Sequence, residues 1–352
     1  MQAVVYPAAN AMDLRAVAEP VAGPGQALVR VRATTICATD FKIQAGLFPG
    51  TRFPHIPGHE WSGDVVAVGP DVDEVAPGDR VGVEVHVGCG RCPRCLEGLY
   101  NLCDNYGNVA KGHAHIGFTV PGGLADYCAV PVKALHRLPP SLDYDQGAMT
   151  DNVGVALWAV ERARLQAGER VAVIGPGAIG LLAMQVARAM GAAQVLMVGT
   201  RADRLRQAEL LGADALVDAA ATNAVAAVRD LTGGRGADVV VEFAGSEQAA
   251  RDALQMARRG GRVVLGGATG PGRELSGVDL SVVVRGHLDV LGSVANPKGV
   301  SARGVALMAK GLVDVRPLIT HHLPLDEFPR AWSLFRDRED GAIRVMLHPT
   351  GS

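Results

Sequence analysis

Residues 170–180 read Arg-Val-Ala-Val-Ile-Gly-Pro-Gly-Ala-Ile-Gly, and this stretch constrains the fold more than any other part of the chain. Residues 171–174 are apolar and mostly β-branched, as in a buried strand. The glycines that follow have the spacing G-x-G-x-x-G, and apolar residues then recur on one helical face as far as Met190. A glycine-rich turn between a strand and a helix lets backbone N–H groups approach a dinucleotide pyrophosphate. We therefore predict cofactor contacts from Gly175, Gly177, Ala178, Ile179 and Gly180.

The end of the next predicted strand, at residues 194–198, bears on the choice of nicotinamide cofactor. A protein that binds NAD normally places Asp or Glu there to accept hydrogen bonds from the ribose hydroxyls. This chain has Gly199, Thr200 and Arg201 instead, followed by Arg204. A guanidinium matches the geometry of a 2′-phosphate, so we predict that the cofactor is NADP(H). The alternative is that Arg201 stacks on adenine and that the protein accepts NAD(H).

Strand and helix patterns alternate from about residue 150 to about residue 295, which predicts a parallel, doubly wound sheet. A helical segment is expected to end at Gly168-Glu169, before the first strand. Residues 1–150 show short strands between Gly-Pro turns, and the end of the chain shows two helices and a last strand at 342–346. The 352 residues are too many for one ordinary core, so we expect two domains.

A second informative stretch has four cysteines spaced C-x2-C-x2-C-x7-C, at Cys89, Cys92, Cys95 and Cys103. Four thiolates from one short loop are able to surround one Zn²⁺ ion tetrahedrally. Disulfides are disfavoured because nothing else marks the chain as secreted, and the spacing matches neither common iron–sulfur run. We predict a closed structural zinc site without chemistry of its own.

Cys37 and His59 are two further candidate zinc ligands, because a thiolate and an imidazole bind zinc well when they meet in space. Each residue alone is equally consistent with a buried thiol or an ordinary histidine.

Composition narrows the possible partners. The net charge of −2 argues against nucleic acid, and the residues that begin with Met1 show neither the basic region nor the apolar core expected of a signal sequence. The longest apolar run, at residues 171–187, contains glycines and a proline and fits a strand–turn–helix better than a membrane span. We expect a cytoplasmic protein with a small-molecule substrate and with neither nucleic acid nor a membrane as partner.

Together, these motifs resemble the zinc-containing medium-chain dehydrogenases, the family of alcohol, sorbitol and threonine dehydrogenases. The Cys37 motif, Gly58-His59-Glu60, the four-cysteine loop and the glycine fingerprint occur in the family's order. The resemblance implies an α/β protein and a homo-oligomer, either a dimer or a tetramer. It also implies a GroES-like, β-rich catalytic domain at 1–153 with the zinc loop at 88–103, a Rossmann domain at 154–294, and a return to the catalytic domain at 295–352.

The resemblance also implies a catalytic zinc ion held by Cys37, His59 and a third ligand. The family usually has Cys or Glu at that third place, and this chain has Asp151. Asp is an adequate oxygen ligand, although it also suits a helix N-cap. Glu60 is the adjacent carboxylate that the family brings near the metal. Two zinc ions per chain are therefore expected.

Two polar residues near Cys37 receive supporting roles from the resemblance. Asp40 would hold the imidazole of a metal ligand, and the alternative for it is a turn residue. Thr39 would relay the proton of the substrate hydroxyl, and the alternative for it is a residue that caps the turn. The open zinc site predicts Lewis-acid catalysis, with hydride passing between the substrate and a nicotinamide.

The resemblance places further cofactor contacts at Gly292 and Ser293, which would line the nicotinamide pocket, and at Arg344, which would reach the phosphates. A solvated strand charge is the alternative for Arg344. Gly58-His59-Glu60-Trp61 and Tyr100-Asn101-Leu102-Cys103 resemble stretches of the polyol and sugar dehydrogenases, and this resemblance favours a polyol, cyclitol or amino sugar as substrate over a simple alcohol or threonine. Four residues are either cleft or packing residues, namely Lys42, Phe53, His55 and Trp61.

Two other functions are compatible with parts of the sequence. One is a nucleotide-binding protein without catalysis, and the other is a zinc-independent enone reductase of the same superfamily. The intact Cys37 and His59 pair argues against both, and the four-cysteine loop argues against the reductase.

Overall fold

Residues 1–267 and 274–350 are described by the computed structural model of the chain. The chain forms two compact units: unit 1 comprises Met1–Gly154, Asn296–Ala309 and Val315–Ser352, and unit 2 comprises Val155–Ala295 and Lys310–Asp314. The domain limits expected from the sequence fell after residues 153 and 294. The short segment Lys310–Asp314 of unit 2 had no signal in the sequence.

The described residues contain both strands and helices throughout. The strands are β1 (Gln2–Val5), β2 (Asp13–Ala16), β3 (Gln26–Thr35), β4 (Trp61–Val68), β5 (Arg80–Val83), β6 (His86–Val87), β7 (Ala114–His115), β8 (Tyr127–Pro131), β9 (Leu135–Arg137), β10 (Arg170–Ile174), β11 (Gln194–Gly199), β12 (Ala215–Asp218), β13 (Ala237–Glu242), β14 (Ala257–Leu265), β15 (Asp289–Gly292), β16 (Ile319–Pro324) and β17 (Arg344–His348). The helices are α1 (Ala38–Gln44), α2 (Pro93–Leu96), α3 (Tyr144–Ala148), α4 (Thr150–Arg162), α5 (Ala178–Ala189), α6 (Ala202–Leu210), α7 (Ala224–Leu231), α8 (Glu247–Met256), α9 (Ser281–Gly286), α10 (Val300–Ala309) and α11 (Phe328–Asp337).

Unit 2 is built on a parallel sheet with the strand order β12-β11-β10-β13-β14-β15. Its central strands carry continuous apolar runs, and Val171, Val195 and Val239 are fully buried, as expected when helices cover both faces. The strand order reverses between β10 and β13. In open parallel sheets such a switch point is where ligands bind, at the carboxyl ends of the strands. The doubly wound sheet predicted from the sequence is therefore confirmed.

Unit 1 is built on a mixed sheet with the order β16-β17-β3-β4-β5-β9, and β8 also pairs with β3. The β16–β17 pair is parallel, and the neighbouring pairs from β17 onwards are antiparallel. Alternate residues of β17 face two different clusters. Val345 and Leu347 pack in a cluster that includes Trp332 of α11, whereas Met346 packs against Ala148 of α3.

Two predicted boundaries are wrong. The helix expected to end at Gly168-Glu169 ends at Arg162, because Arg164 takes a left-handed conformation with φ of 52° and the chain turns there. The last strand begins at Arg344 rather than at Ala342.

No helix within the described ranges is long and apolar enough to cross a membrane. The apolar run at 171–187 is divided between β10 and α5.

Candidate metal centres and cofactor site

The four-cysteine loop lies in unit 1 and closes on itself around a short helix. Cys92 is the N-cap of α2 and its Sγ accepts a hydrogen bond from the backbone N–H of Cys95, at 3.4 Å. Pro93 occupies the first helical turn, where a missing N–H costs nothing. The Sγ atoms of Cys89 and Cys95 are 3.9 Å apart, and those of Cys92 and Cys103 are also 3.9 Å apart.

These sulfur separations fit a metal and not a disulfide. Four sulfurs at about 2.3 Å from one zinc ion lie about 3.8 Å from one another, whereas disulfide sulfurs are about 2.0 Å apart. The surroundings favour a thiolate at Cys89, whereas burial raises the pKa of Cys95 to about 12 and raises that of Cys103 as well. Hydrogen bonds from the backbone of Arg91 and from the Asn105 amide lower the pKa of Cys89 to about 6. The loop therefore fits the structural zinc ion that the sequence predicts.

The sixth cysteine, Cys128, stands apart from both sets. It is buried within β8, and burial raises the pKa of its thiol to about 12. A protonated, enclosed thiol of this kind acts as a small apolar side chain.

The second candidate centre brings together residues from two chain segments of unit 1. Cys37 follows β3 and is the N-cap of α1, while His59 and Glu60 directly precede β4. One ligand atom from each of these three residues lies within 4.8 Å of the others. Gly58 precedes His59 and Glu60 in a turn that only glycine fits. Its φ is +99°, and a Cβ there would lie 2.4 Å from the backbone nitrogen of Leu124.

Asp40 orients His59. One Asp40 oxygen accepts the backbone N–H of Cys37 at 2.8 Å, and the other lies 3.4 Å from Nδ1 of His59. Burial lowers the pKa of His59, but the negative charges of Asp40 and Cys37 outweigh this effect and raise it well above the usual value. An imidazole whose Nδ1 is directed at a carboxylate leaves Nε2 available for a metal.

Glu60 is fixed by two residues that the sequence had not connected with it. Its Oε2 pairs with Arg344 at 2.8 Å, and its Oε1 accepts a hydrogen bond from the Asn152 amide at 2.6 Å. Oε1 also lies 3.8 Å from Nε2 of His59. Arg344 is 4% exposed, so its alternative interpretation as a solvated charge is wrong. Its contact with cofactor phosphates stays a prediction.

Asp151 lies in the first turn of α4 and is not the N-cap of that helix. Its Oδ1 accepts from the backbone N–H of Val85 at 3.4 Å and from the Asn296 amide at 3.3 Å. Burial is the largest influence on its pKa, which is raised to about 7. Asp151 is not a member of the set of three residues that lies within 4.8 Å.

The charge balance of this centre fits a bound cation. Asp40, Glu60 and Asp151 are at most 6% exposed, and Arg344 is the positive partner of Glu60. Nδ1 of His59 and Oδ1 of Asp40 are buried without a hydrogen bond of good geometry in the described chain. Without an ion, the negative charges favour a proton on His59, whose pKa they raise well above the usual value, and a divalent cation on the imidazole would take the place of that proton.

A cluster of three histidines, which was not predicted from the sequence, lies next to His59. His115 stacks on Phe118 with ring centroids 3.6 Å apart, and Phe118 in turn lies 4.7 Å from His59. His86 stacks on the other side of His115 at 4.0 Å, and His113 lies nearby. The i, i+2 spacing of His113 and His115 is a signal for one face of a strand.

The predicted cleft residues prove to be mostly packing residues. Trp61 is fully buried, and a Cβ on Gly123 would lie 2.4 Å from its ring. His55 is buried with Nε2 2.8 Å from the carbonyl oxygen of Gly117. Phe53 packs against the core cluster that contains Phe118. Of the four, only Lys42 lies outside these packed groups, in the last turn of α1.

The glycine-rich turn of unit 2 lies at the carboxyl end of β10. Gly175 has φ of +100°, and a Cβ on Gly180 would lie 2.0 Å from the carbonyl oxygen of Gly175. Gly177 is the N-cap of α5, so the first N–H groups of that helix, at Ala178 and Ile179, have no cap side chain. This is the geometry that a pyrophosphate requires.

The neighbouring strand ends carry the other predicted cofactor residues. Gly199 ends β11, and a Cβ there would lie 2.5 Å from Pro176. Arg201, which follows Thr200, pairs with Asp203 at 3.0 Å, and Arg204 is buried with Nε 3.6 Å from the same carboxylate. Gly292 ends β15, and the N–H of Ser293 donates to the carbonyl oxygen of Leu265.

The chain is similar to proteins of known family along its whole length. Residues 23–140 match the family model of the alcohol dehydrogenase GroES-like domain, and residues 178–310 match that of the zinc-binding dehydrogenases. An erythritol/L-threitol dehydrogenase of Mycolicibacterium smegmatis is 34% identical, over 99% of this chain and 98% of that protein. The chain belongs to the zinc-containing medium-chain dehydrogenases.

Two further relatives agree with this family. An L-threonine 3-dehydrogenase of Symbiobacterium thermophilum is 34% identical, over 95% of this chain and 93% of that protein. A crystal structure described as a zinc-binding dehydrogenase from Sinorhizobium meliloti 1021, bound to NADP, has a TM-score of 0.91. Its sequence is 34% identical, and the match covers 99% of each chain. This dehydrogenase is thus a zinc-dependent, NAD(P)-dependent alcohol or polyol dehydrogenase, as predicted, with a GroES-like domain and a Rossmann domain.

Proposed function

We propose that this dehydrogenase interconverts a secondary hydroxyl group of a polyol-type substrate and the corresponding ketone, with NADP(H) as cofactor. The observation that carries the proposal is that ligand atoms of Cys37, His59 and Glu60 lie within 4.8 Å of one another in unit 1. His59 and Glu60 are buried there, and Cys37 is partly buried. A thiolate, an imidazole and a carboxylate form the usual protein ligands of an open, catalytic zinc site. The separate thiolate loop gives a second ion, and so two per chain.

The residues around the proposed catalytic ion have distinct tasks. Cys37, His59 and a carboxylate, from Asp151 or Glu60, would hold the ion, which supplies Lewis-acid activation of the substrate hydroxyl. Asp40, 3.4 Å from Nδ1 of His59, would orient the imidazole so that its Nε2 is available to the ion. The Thr39 hydroxyl lies 3.7 Å from Sγ of Cys37 and is half-buried, which supports the proposal that it relays the proton of the substrate hydroxyl.

The substrate class is supported by the relatives. Erythritol and threitol are polyols, and threonine carries a secondary hydroxyl next to an amino group. A site for such molecules forms hydrogen bonds to the polar group beside the reacting carbon. Such a site binds analogues without this polar group poorly, because they would leave its own buried polar atoms without hydrogen bonds.

A substrate screen tests this class. Production of reduced nicotinamide is followed for tetritols, hexitols, cyclitols and amino sugars, with butan-2-ol as the matched alcohol without neighbouring hydroxyls. Each extra hydrogen bond contributes about 1 kcal/mol, so we expect kcat/KM for the best polyol to exceed that for butan-2-ol by about tenfold to a hundredfold. A higher value for butan-2-ol would instead favour a simple alcohol dehydrogenase.

The preference for NADP(H) is supported by the end of β11. Pro176 leaves no space for a side chain at Gly199, so a carboxylate cannot occupy that position without displacing Pro176. Arg201 follows the end of β11 by two residues, and its guanidinium is partly exposed beside Asp203. A 2′-phosphate at this strand end would find a guanidinium whose planar fork matches its oxygens. The relative from Sinorhizobium meliloti, whose structure contains NADP, is consistent with this preference.

Replacement of Arg201 tests the cofactor preference. One charge-assisted contact contributes about 1.5–3 kcal/mol, so Arg201→Ala should lower the ratio of kcat/KM for NADP to that for NAD by about tenfold to a hundredfold. Arg206→Ala is the control, because Arg206 is an exposed arginine of α6, the helix whose N-cap is Arg201. A wild-type preference for NAD would refute the proposal, and so would an equal ratio in wild type and Arg201→Ala.

A further inference from the structure

A third group of metal-ligating side chains lies in unit 1, apart from both zinc centres. It consists of Asp145 of α3, His322 of β16 and His348 of β17, and one ligand atom from each lies within 4.8 Å of the others. Nε2 of His348 is 2.8 Å from one Asp145 oxygen, and Nδ1 of His322 is 3.2 Å from the other.

The register of the sheet explains why these three residues meet. His322 pairs with Met346 in the parallel β16–β17 ladder, and His348 lies two residues beyond Met346 on the same face. Met346 packs against Ala148 of α3. Asp145 lies three residues before Ala148 on the same side of that helix, so it meets the two histidines at the edge of the contact.

We propose that Asp145, His322 and His348 form a third metal site, which binds a divalent transition-metal ion such as Zn²⁺ or Ni²⁺. Two imidazoles and one carboxylate are a ligand set that zinc and nickel accept, with the remaining positions open to water. Ligand atoms bound at about 2.0–2.1 Å to one ion lie about 3 Å apart, close to the two distances between Asp145 and the histidines.

Exposure distinguishes this site from the two zinc centres. The side chains of His322, His348 and Asp145 are 51%, 39% and 24% exposed, so an ion reaches them directly from solvent. The imidazole planes are nearly parallel, at 6°, with centroids 5.6 Å apart, and the carboxylate spans both rings. A small rotation of the exposed rings brings both nitrogens toward one ion.

The predicted consequence is a cross-link between elements that are distant in sequence. β16 is the edge strand of the unit 1 sheet, and α3 directly precedes α4, which carries Asp151. An ion bound only by the folded chain stabilises it in proportion to its free concentration, so the site would make the melting temperature depend on added metal. The competing interpretation is that Asp145 simply pairs with two imidazolium groups and binds no ion.

Titration of the holoenzyme distinguishes these interpretations. Protein with its resident metals is dialysed without chelator, its zinc content is measured, and it is then titrated with ZnCl₂ or NiCl₂ by calorimetry. We expect one additional ion per wild-type chain. His322→Ala and His348→Ala should each weaken this binding at least about tenfold, since even loss of an outer-shell partner costs that much. His321→Ala is the matched control, because this neighbouring histidine contacts Thr320 and is outside the group.

Three results bear directly on the proposal. Weaker binding in both ligand variants, together with unchanged binding in His321→Ala, supports it. Absence of an additional ion in wild type overturns it, as does equal binding by wild type, His322→Ala and His348→Ala, which would indicate adventitious binding elsewhere. Melting curves without added metal confirm that each variant is folded, and enzyme activity is not part of the readout.

Discussion

At the scale of single residues, the position of Asp151 is the main question about the catalytic centre. Its carboxylate is 6% exposed and accepts hydrogen bonds from Val85 and Asn296. The helix-cap interpretation is excluded, because Asp151 lies inside the first turn of α4. Two roles remain: a zinc ligand, whose negative charge is needed, or an acceptor of buried hydrogen bonds, which an amide oxygen would also provide.

Asp151→Asn separates these two roles. If Asp151 is a ligand, we expect kcat/KM to fall by at least about a hundredfold and zinc content after dialysis to fall from two ions per chain toward one. The fold should persist, because Asn still accepts the hydrogen bonds from Val85 and Asn296. Zinc is measured by elemental analysis on the same samples as the kinetics.

Two companion variants make the result specific. Asp151→Glu keeps the charge and supplies the longer ligand of the family, so it should recover part of the activity. Glu60→Gln removes the other candidate carboxylate. Full turnover and full zinc in Asp151→Asn, with loss of both in Glu60→Gln, would transfer the ligand role to Glu60.

At the scale of secondary-structure elements, the Rossmann unit was predictable because its signals are local. The apolar residues at 171–174 lie in β10, and the strand predicted at 194–198 coincides with β11 to within a residue. A βα unit has its apolar strand, its glycine turn and its amphipathic helix next to one another in sequence. The strand order then follows from the preference of such units for a doubly wound sheet.

The contacts within unit 1 were not predictable in the same way, because they join distant segments. Arg344 is 284 residues from Glu60, and Asp145 is 203 residues from His348. Single-sequence patterns show the face of a strand but not which strand lies beside it. The family resemblance predicted Cys37 and His59 as ligands. The hydrogen bond of Asn152 to Glu60 and the ion pair of Arg344 with Glu60 became visible only in the folded unit 1.

At the scale of the whole molecule, stability should depend on pH through the histidine cluster of unit 1. Burial is the largest influence on His86, followed by repulsion from His113 and His59, and together they lower its pKa to about 3. Burial similarly lowers the pKa of His113 and, to well below the usual value, that of His115. These rings stay neutral in the folded chain at pH values where the unfolded chain protonates them.

The sign of the effect follows from proton linkage. The unfolded imidazole of His86 has a pKa of about 6.5, so below that pH the unfolded state binds a proton that the folded state excludes. The stability contributed by a neutral His86 is therefore complete above about pH 6.5 and decreases as the pH falls toward 3. The loss is about 1.4 kcal/mol per pH unit for this one group.

We expect His86→Gln to have a shallower acid dependence than wild type, by about 1.4 kcal/mol per pH unit between pH 6 and pH 5. The free energy of unfolding is measured in urea in a Trp158→Phe background, because Trp61 and Trp332 both lie in unit 1 and their fluorescence then reports that unit alone. Gln cannot titrate, and any loss of ring stacking lowers stability equally at both pH values. Zinc content is measured in both proteins at both pH values, so that a difference in metal release is not mistaken for the titration of His86. Parallel slopes would mean that the histidine is protonated in the folded chain or that its surroundings rearrange to accept the charge.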